Sequence, residues 1–296
     1  MTLLELLVTL SVIGLLMALL LSAVQSARAS ARRVKCASQL RQIGIATHNY
    51  VETYGELPNV HAGGLLFGIL PFTEESARYK QATETLQQSS APVDTVLGRI
   101  PLYQCPDDPL VSNYEGLASY VVNRGSVPPT DDRRAFVNFG GGVRWSDVTD
   151  GLSVTALASE TRTSGFDRMS PASYEGPRSM GVWLTWTAPP CEQSMEWMGT
   201  RCLNDSSNRP ADWGSWGALI YGPGSGYNHA LPPNSGSCVS GTNPCFVDAV
   251  SATSGHSGGV QVLLADGSLR FVSESVDATV WRNVGSISDG NALGEW

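Results

Sequence analysis

From Leu3 to Val24 the chain is an almost unbroken run of apolar residues, broken only by Thr9, Ser11, Ser22 and a few small residues, and it carries one formal charge, Glu5. At about 1.5 Å per residue, roughly 20 apolar residues in a helix cross the ~30 Å hydrocarbon core of a bilayer. The pattern therefore predicts an N-terminal helix able to span a membrane. A carboxylate within that core costs on the order of 2 to 3 kcal/mol near the helix centre and less near its end, so Glu5 calls for a partner or a place at the headgroups. The nearest cation is the α-amino group of Met1. A helix keeps the two groups apart within one subunit, whereas staggered copies would bring the Glu5 of one to the Met1 of another. A signal-anchor helix whose Glu5 reaches the interface accounts for the same pattern.

Past the apolar run the period changes. Cys36, Leu40, Ile43, Thr47, Tyr50 and Tyr54 recur every three or four residues, the spacing of a helix laid with one face on a domain. Gly55 followed by Pro58 is a stop signal. A stem over residues 1–54 would be about 80 Å long, with 1–24 in a membrane or a filament core and 25–54 covered by a C-terminal head. Residues 55–296 read as that head, β-rich, with short strands, long loops and a short helix around 74–88. Asp147, Asp150 and Gly151 form a turn that feeds a strand ending at Glu160, and two β-rich runs over 259–273 flank Asp266-Gly267, a strong hairpin signal. The fold class is α+β, a long helix packed on an antiparallel β-rich head. Residues 165–255 are irregular and hold Trp183, Trp186, Trp197, Trp213 and Trp216 together with four of the six cysteines.

Charge divides the chain the same way. The first 50 residues hold five Lys+Arg (Arg28, Arg32, Arg33, Lys35, Arg41) against Glu5, a net +4, so the remainder carries −12 of the total −8. An acidic head argues against nucleic acid as a partner and leaves cations, sugars and proteins open. The basic cluster after the apolar run, taken alone, would hold the head in the cytoplasm. Six cysteines point the other way, to an oxidising compartment; they allow fifteen connectivities.

Three constellations carry possible chemistry. Gly255-His256-Ser257-Gly258-Gly259 has the spacing of a nucleophile elbow, but that device needs a helix after the serine and a later catalytic histidine, and no histidine follows Ser257. No catalytic residue is assigned, and His256 reads as a hydrogen-bonding residue that pins the turn before the hairpin. Loop carboxylates at Asp147, Asp150 and Asp205 are weak calcium candidates without an EF-hand spacing, so no metal or other cofactor is assigned. The tryptophan cluster suits either a buried core or a sugar-binding platform.

The order Met1-Thr2-Leu3-Leu4-Glu5-Leu6-Leu7-Val8-Thr9-Leu10-Ser11-Val12-Ile13-Gly14-Leu15-Leu16 resembles the mature N-terminus of type IV pilins and type II secretion pseudopilins, with Glu5 at the acidic position of that family. There a prepilin peptidase removes a basic leader, and the new first residue, usually Phe, is N-methylated. The resemblance implies N-methylation at Met1, where Met departs from the usual Phe, and assembly through Met1, Leu3, Glu5, Leu6, Leu7, Leu10, Ile13 and Gly14. Lys35-Cys36 to Tyr50, Tyr54-Gly55-Glu56-Leu57-Pro58, Gln104-Cys105-Pro106, Asp150-Gly151, and His256 nine residues before Asp266-Gly267 also resemble a prepilin-type family of unknown function with a C-terminal His-x9-Asp-Gly motif.

That resemblance implies a subunit of a pilus-like filament or pseudopilus, held in the inner membrane before assembly and then extracellular or periplasmic. Its partners would be further copies, other pilin-like subunits, the peptidase and the assembly machinery. A membrane-anchored binding or adhesion module that does not polymerise is the alternative. Because Cys36 and Cys105 lie in the matched segments, the resemblance also favours a bond between them, tying stem to head; Cys191–Cys202 and Cys238–Cys245 are the natural local pairs.

Overall fold

The computed structural model describes residues 3–59, 63–88, 96–108, 111–113, 115–125, 136, 142–163, 226–235 and 248–291, and the strand segments 181–184, 209–210, 218–219 and 237–240. Helix α1 (Leu3–Tyr54) is continuous over 52 residues, about 78 Å. It ends where the sequence predicts: Gly55 takes φ +81°, open to glycine at little cost, and its N–H reaches the Val51 carbonyl at 2.7 Å.

The helix has two halves with different surroundings. Every residue from Leu3 to Ala31 is exposed. From Cys36 onward one face is buried, formed by Cys36, Gln39, Leu40, Ile43, Gly44, Ala46, Thr47 and Val51. The periodicity puts Tyr50 and Tyr54 on this seam, but Tyr50 is half-buried and Tyr54 is 60% exposed. The 3.6-residue turn carries the seam to Val51 instead, and the two tyrosine rings stack on each other at 4.5 Å beside Phe72.

The head follows the α+β expectation. Helices α2 (Leu65–Gly68) and α3 (Ser76–Gln88) come first. Among the described residues eleven strands then run in chain order: β1 (Leu117–Ala118), β2 (Tyr120–Asn123), β3 (Ala156–Glu160), β4 (Gly181–Leu184), β5 (Arg209–Pro210), β6 (Ala218–Leu219), β7 (Gly226–Tyr227), β8 (Ser237–Ser240), β9 (Asp248–Ala249), β10 (Gly259–Leu264) and β11 (Leu269–Ser273). Helix α4 (Ala278–Gly285) closes the described fold.

The main sheet has the order β11-β10-β3-β2-β7. Three of its ladders are antiparallel; β7 adds to β2 in parallel, so the sheet is mixed. A second sheet, β5-β4-β8-β9, and the β1-β6 pair draw on the 165–255 stretch. The predicted hairpin is β10–β11. Its turn uses Gly267 at φ +84°, with Ser268 N–H donating to Asp266 Oδ1 at 2.9 Å.

Stem and sheet meet closely. A Cβ on Gly44 would lie 2.9 Å from Leu263 Cδ1 on β10, so the small residue lets the helix approach the strand. Gln39 donates from Nε2 to the Pro101 and Gln104 carbonyls at 2.7 and 3.1 Å. The Tyr120 hydroxyl stands 3.0 Å from Gln39 Oε1 and 3.1 Å from the Cys36 carbonyl. Cys36 and Cys105 form a disulfide that joins α1 to the head. The pairs expected for Cys191, Cys202, Cys238 and Cys245 lie outside the residues whose side chains are described, as do the five tryptophans.

At the far edge of the sheet α4 packs on β7. Asp277 caps it, accepting from the Thr279 and Val280 amides at 2.8 and 3.0 Å. Buried His229 sits between the two elements, its Nδ1 2.7 Å from the Trp281 carbonyl and its Nε2 3.2 Å from the Tyr227 hydroxyl. A carbonyl only accepts, so Nδ1 carries the proton and Nε2 accepts from Tyr227. Burial pushes the imidazole pKa down to about 3, against the smaller upward pull of the Trp281 carbonyl.

Both the disulfide and the buried histidine have measurable consequences for stability. Changing Cys36 and Cys105 together to Ser removes a cross-link between positions 69 apart in sequence and lowers stability by about 4 kcal/mol on the chain-entropy scale; urea unfolding of the full chain in detergent reads this. An unfolded histidine takes up its proton near 6.5, whereas folded His229 resists until about 3. The neutral ring therefore favours the fold above pH 6.5, and that contribution drains away at about 1.4 kcal/mol per unit as pH falls through the window. In the same assay His229→Gln shows a flatter decline between those limits than the parent.

Candidate functional site

The residues of the His-x9-Asp-Gly motif are spread along the stem. His256 stands in the bend before β10, and one of its ring nitrogens lies within 4.8 Å of the Cys36 sulfur. Gly267, at the other end of the strand, faces His48 of α1: a Cβ there would lie 3.6 Å from His48 Nε2. From Cys36 to His48 the helix advances about 18 Å, and the six residues of β10 cover about 20 Å. The spacing of the motif is thus the length of a strand laid along three turns of the stem. Its Asp-Gly supplies the turn and the close contact, and its histidine fastens the other end.

That end is a buried polar centre. His256 Nδ1 is 3.1 Å from Asp107 Oδ2, and Nε2 is 3.4 Å from Glu160 Oε1; the His256 and Glu160 side chains are 4% and 2% exposed. Asp107 receives Arg32 Nε of the stem at 2.7 Å. Glu160 Oε2 accepts from the Gln261 amide at 3.0 Å. No hydrogen bond of acceptable geometry joins His256 Nε2 to Glu160 Oε1, and among the described residues neither atom has another hydrogen-bond partner. Both sulfurs of the Cys36–Cys105 bond lie within 4.8 Å of this pair, and the Asp107 amide donates to Cys105 Sγ at 3.4 Å.

Asp108 lies beside them, one oxygen accepting from Ser119 Oγ, Thr163 N and Thr163 Oγ1 at 2.9–3.0 Å. Burial raises its pKa, and the Thr163 and Ser119 bonds oppose the rise. The Tyr120 hydroxyl is raised well above its ordinary value by burial first and by the nearby Glu160 and Asp108 charges next.

The remaining sequence-assigned residues are scattered. Asp150 accepts from the Asp289 and Gly290 amides at 2.8 and 2.9 Å and so anchors the C-terminal loop, while Gly151 takes φ +107° in the turn toward β3. Asp147 accepts from the Arg144 amide at 2.9 Å. These two calcium candidates serve backbone turns, and Asp205 lies outside the described residues. Ser257 is followed by strand β10 rather than the helix that a nucleophile elbow requires. Leu3, Glu5, Leu6, Leu7, Leu10, Ile13 and Gly14 all lie on the exposed half of α1, and Met1 is outside the described residues.

Sequence reasoning places His256 at a turn and Cys36 with Cys105 but misses Asp107, Glu160 and Arg32 as their neighbours. The one local signal is the pair of aspartates just after Cys105-Pro106. Glu160 is visible only as the end of a strand.

No curated protein matches the chain, and no solved structure does. A family model described as "Protein of unknown function (DUF1559)" matches residues 25–279, from the exposed part of α1 through β11 and into α4. The match spans the polar centre, the disulfide and the β10–β11 clamp, and the chain belongs to this family.

Proposed function

We propose that the protein is a structural subunit of a type IV pilus-like filament or pseudopilus, assembled through the first half of α1 with the head displayed outward. The observation that carries this reading is the continuity of α1 across two environments. One rigid helix is gripped by the head from Cys36 on, while its most apolar 18-residue window has a mean hydropathy of 2.6 and no buried residue. Exposed Leu4, Leu7, Leu10, Val12, Ile13 and Leu16, set at about 100° per residue, present an apolar surface on every side, which water penalises at about 25 cal/mol per Å². A bilayer covers it in the isolated subunit. Side-by-side stems of other copies, or of other pilin-like subunits, cover it after extraction.

The pilin-like order of residues 1–16 supports polymerisation over simple anchoring. It also brings in a prepilin peptidase, N-methylation at Met1 and a pilus or secretion assembly machinery as partners, with an inner-membrane location before assembly. Within a bundle of apolar stems the Glu5 carboxylate gains most from a cation at the same depth, and the Met1 amine of an axially staggered neighbour supplies one. An anchored binding module would need neither the carboxylate nor that neighbour.

Glu5→Ala is expected to leave the chain in the membrane at parental abundance while lowering filaments in sheared cell-surface fractions at least tenfold, read by electron microscopy and immunoblot. Unchanged filaments would remove the role given to Glu5. Parental cells with no threads containing the protein would favour the anchored module.

A further inference from the structure

We infer that the centre formed by Cys36, Cys105, Glu160 and His256 is a redox-gated site for a zinc-like divalent metal, holding the ion when the two cysteines are thiols and excluding it when they are joined. The inference stands apart from the filament reading and needs no assembly.

Four side chains of the right chemistry converge there. The two sulfurs, one imidazole nitrogen and one carboxylate oxygen all lie within 4.8 Å of one another, and all four residues are buried. Tetrahedral zinc bonds of about 2.3 Å to sulfur and about 2.0–2.2 Å to nitrogen and oxygen separate neighbouring ligand atoms by roughly 3.3–3.8 Å. The cluster therefore needs shifts of about 1 Å from the nitrogen and oxygen. The sulfurs, once unbonded, must part to about 3.8 Å by side-chain rotation.

A second, independent observation points to a ligand. His256 Nε2 and Glu160 Oε1 are fully enclosed and, among the described residues, without a hydrogen-bond partner, 3.4 Å apart on side chains 4% and 2% exposed. Enclosing such atoms without a hydrogen bond is costly, and a cation between them relieves both. The surroundings match those of a metal centre. Asp107 holds His256 through Nδ1 at 3.1 Å and is itself held by Arg32, which leaves the Nε2 lone pair facing the cluster. Glu160 is oriented through its other oxygen by the Gln261 amide. The Asp107 amide donates to Cys105 Sγ, a bond that stabilises thiolate charge.

The chemistry balances. A dithiol or phosphine reductant supplies two electrons to the Cys36–Cys105 bond: the dithiol gives its two protons to the new thiols and becomes a disulfide, whereas the phosphine takes its oxide oxygen from a water whose two protons complete the thiols. The ion then displaces both thiol protons to solvent as Cys36 and Cys105 bind it as thiolates, with neutral His256 and the Glu160 carboxylate completing four ligands. Oxidation runs the other way with a small-molecule disulfide as the oxidant: one thiolate attacks it and expels one thiol, the second thiolate displaces the other, and the Cys36–Cys105 bond re-forms as the two electrons leave on the two released thiols and the ion is set free.

The test uses the full chain in detergent. The protein is reduced with a phosphine in urea until all six cysteines titrate as thiols, then refolded with cobalt(II) as the spectroscopic stand-in for zinc, and again with zinc for elemental analysis. Cys36→Ser/Cys105→Ser treated alike accounts for ion held by the other four cysteines. The expected result is one more equivalent on the parent than on this variant, with thiolate charge-transfer and tetrahedral visible bands. Those bands vanish on reoxidation and are absent from the never-reduced protein. Glu160→Gln and Asp107→Asn, which keep side-chain shape, each weaken cobalt binding about tenfold or more. Equal stoichiometry in parent and double variant overturns the site. So does binding insensitive to Glu160→Gln and Asp107→Asn, or a reduced chain that regains no folded far-UV signal with or without the ion.

Discussion

A helix apolar on every side for half its length and on one side for the rest must be held by two different surroundings, and the boundary between them organises this molecule. From Cys36 to Val51 the head takes one face of α1 into its core. Close approach at Gly44, where any side chain would press on Leu263, allows a strand to lie directly on the helix. Buried aliphatic residues on both sides supply most of the favourable free energy, since apolar area leaves water there on both partners. Arg32 and Arg33 add polar contacts just before that seam, and every residue from Leu3 to Ala31 is exposed.

Polar groups at the seam, from buried Gln39 to the half-exposed Arg32, find partners within the protein. Gln39 reaches two head carbonyls and Tyr120, and Arg32 reaches Asp107. Arg33 lies over the Phe271 ring at 3.6 Å, adding a second stem cation that holds β11. Together with the disulfide these contacts prevent the stem from sliding or rotating against the head, which a purely apolar seam would resist less.

The polar centre at His256 departs from that economy. Asp107, Glu160 and His256 crowd beside a disulfide, and two of their atoms are enclosed without partners. Seams that are purely structural usually satisfy or omit such groups. The contrast with His229 is instructive. It is buried more completely, yet both of its nitrogens are satisfied and burial holds the ring neutral. One histidine is a packed core residue; the other sits in a cluster with unused ligand capacity.

Features written in local sequence are legible without the fold. The apolar run, the stop at Gly55, the helix near Glu74–Gln88 and the Asp266-Gly267 hairpin depend on periodicity and on backbone freedom at single residues, both of which survive in one dimension. The bond between Cys36 and Cys105 comes within reach through resemblance, since cysteine spacing alone leaves every pairing open. Where the seam runs on the helix is only partly legible, because the drift of 3.6 residues per turn favours Val51 over Tyr54 according to where the head's surface lies. The parallel addition of β7 and the convergence of Arg32, Asp107, Glu160 and His256 were decided by tertiary structure alone. Those side chains come from the stem, a loop, a strand end and a bend, and only the folded path of the chain, through contacts over more than two hundred positions, sets the distances on which their chemistry depends.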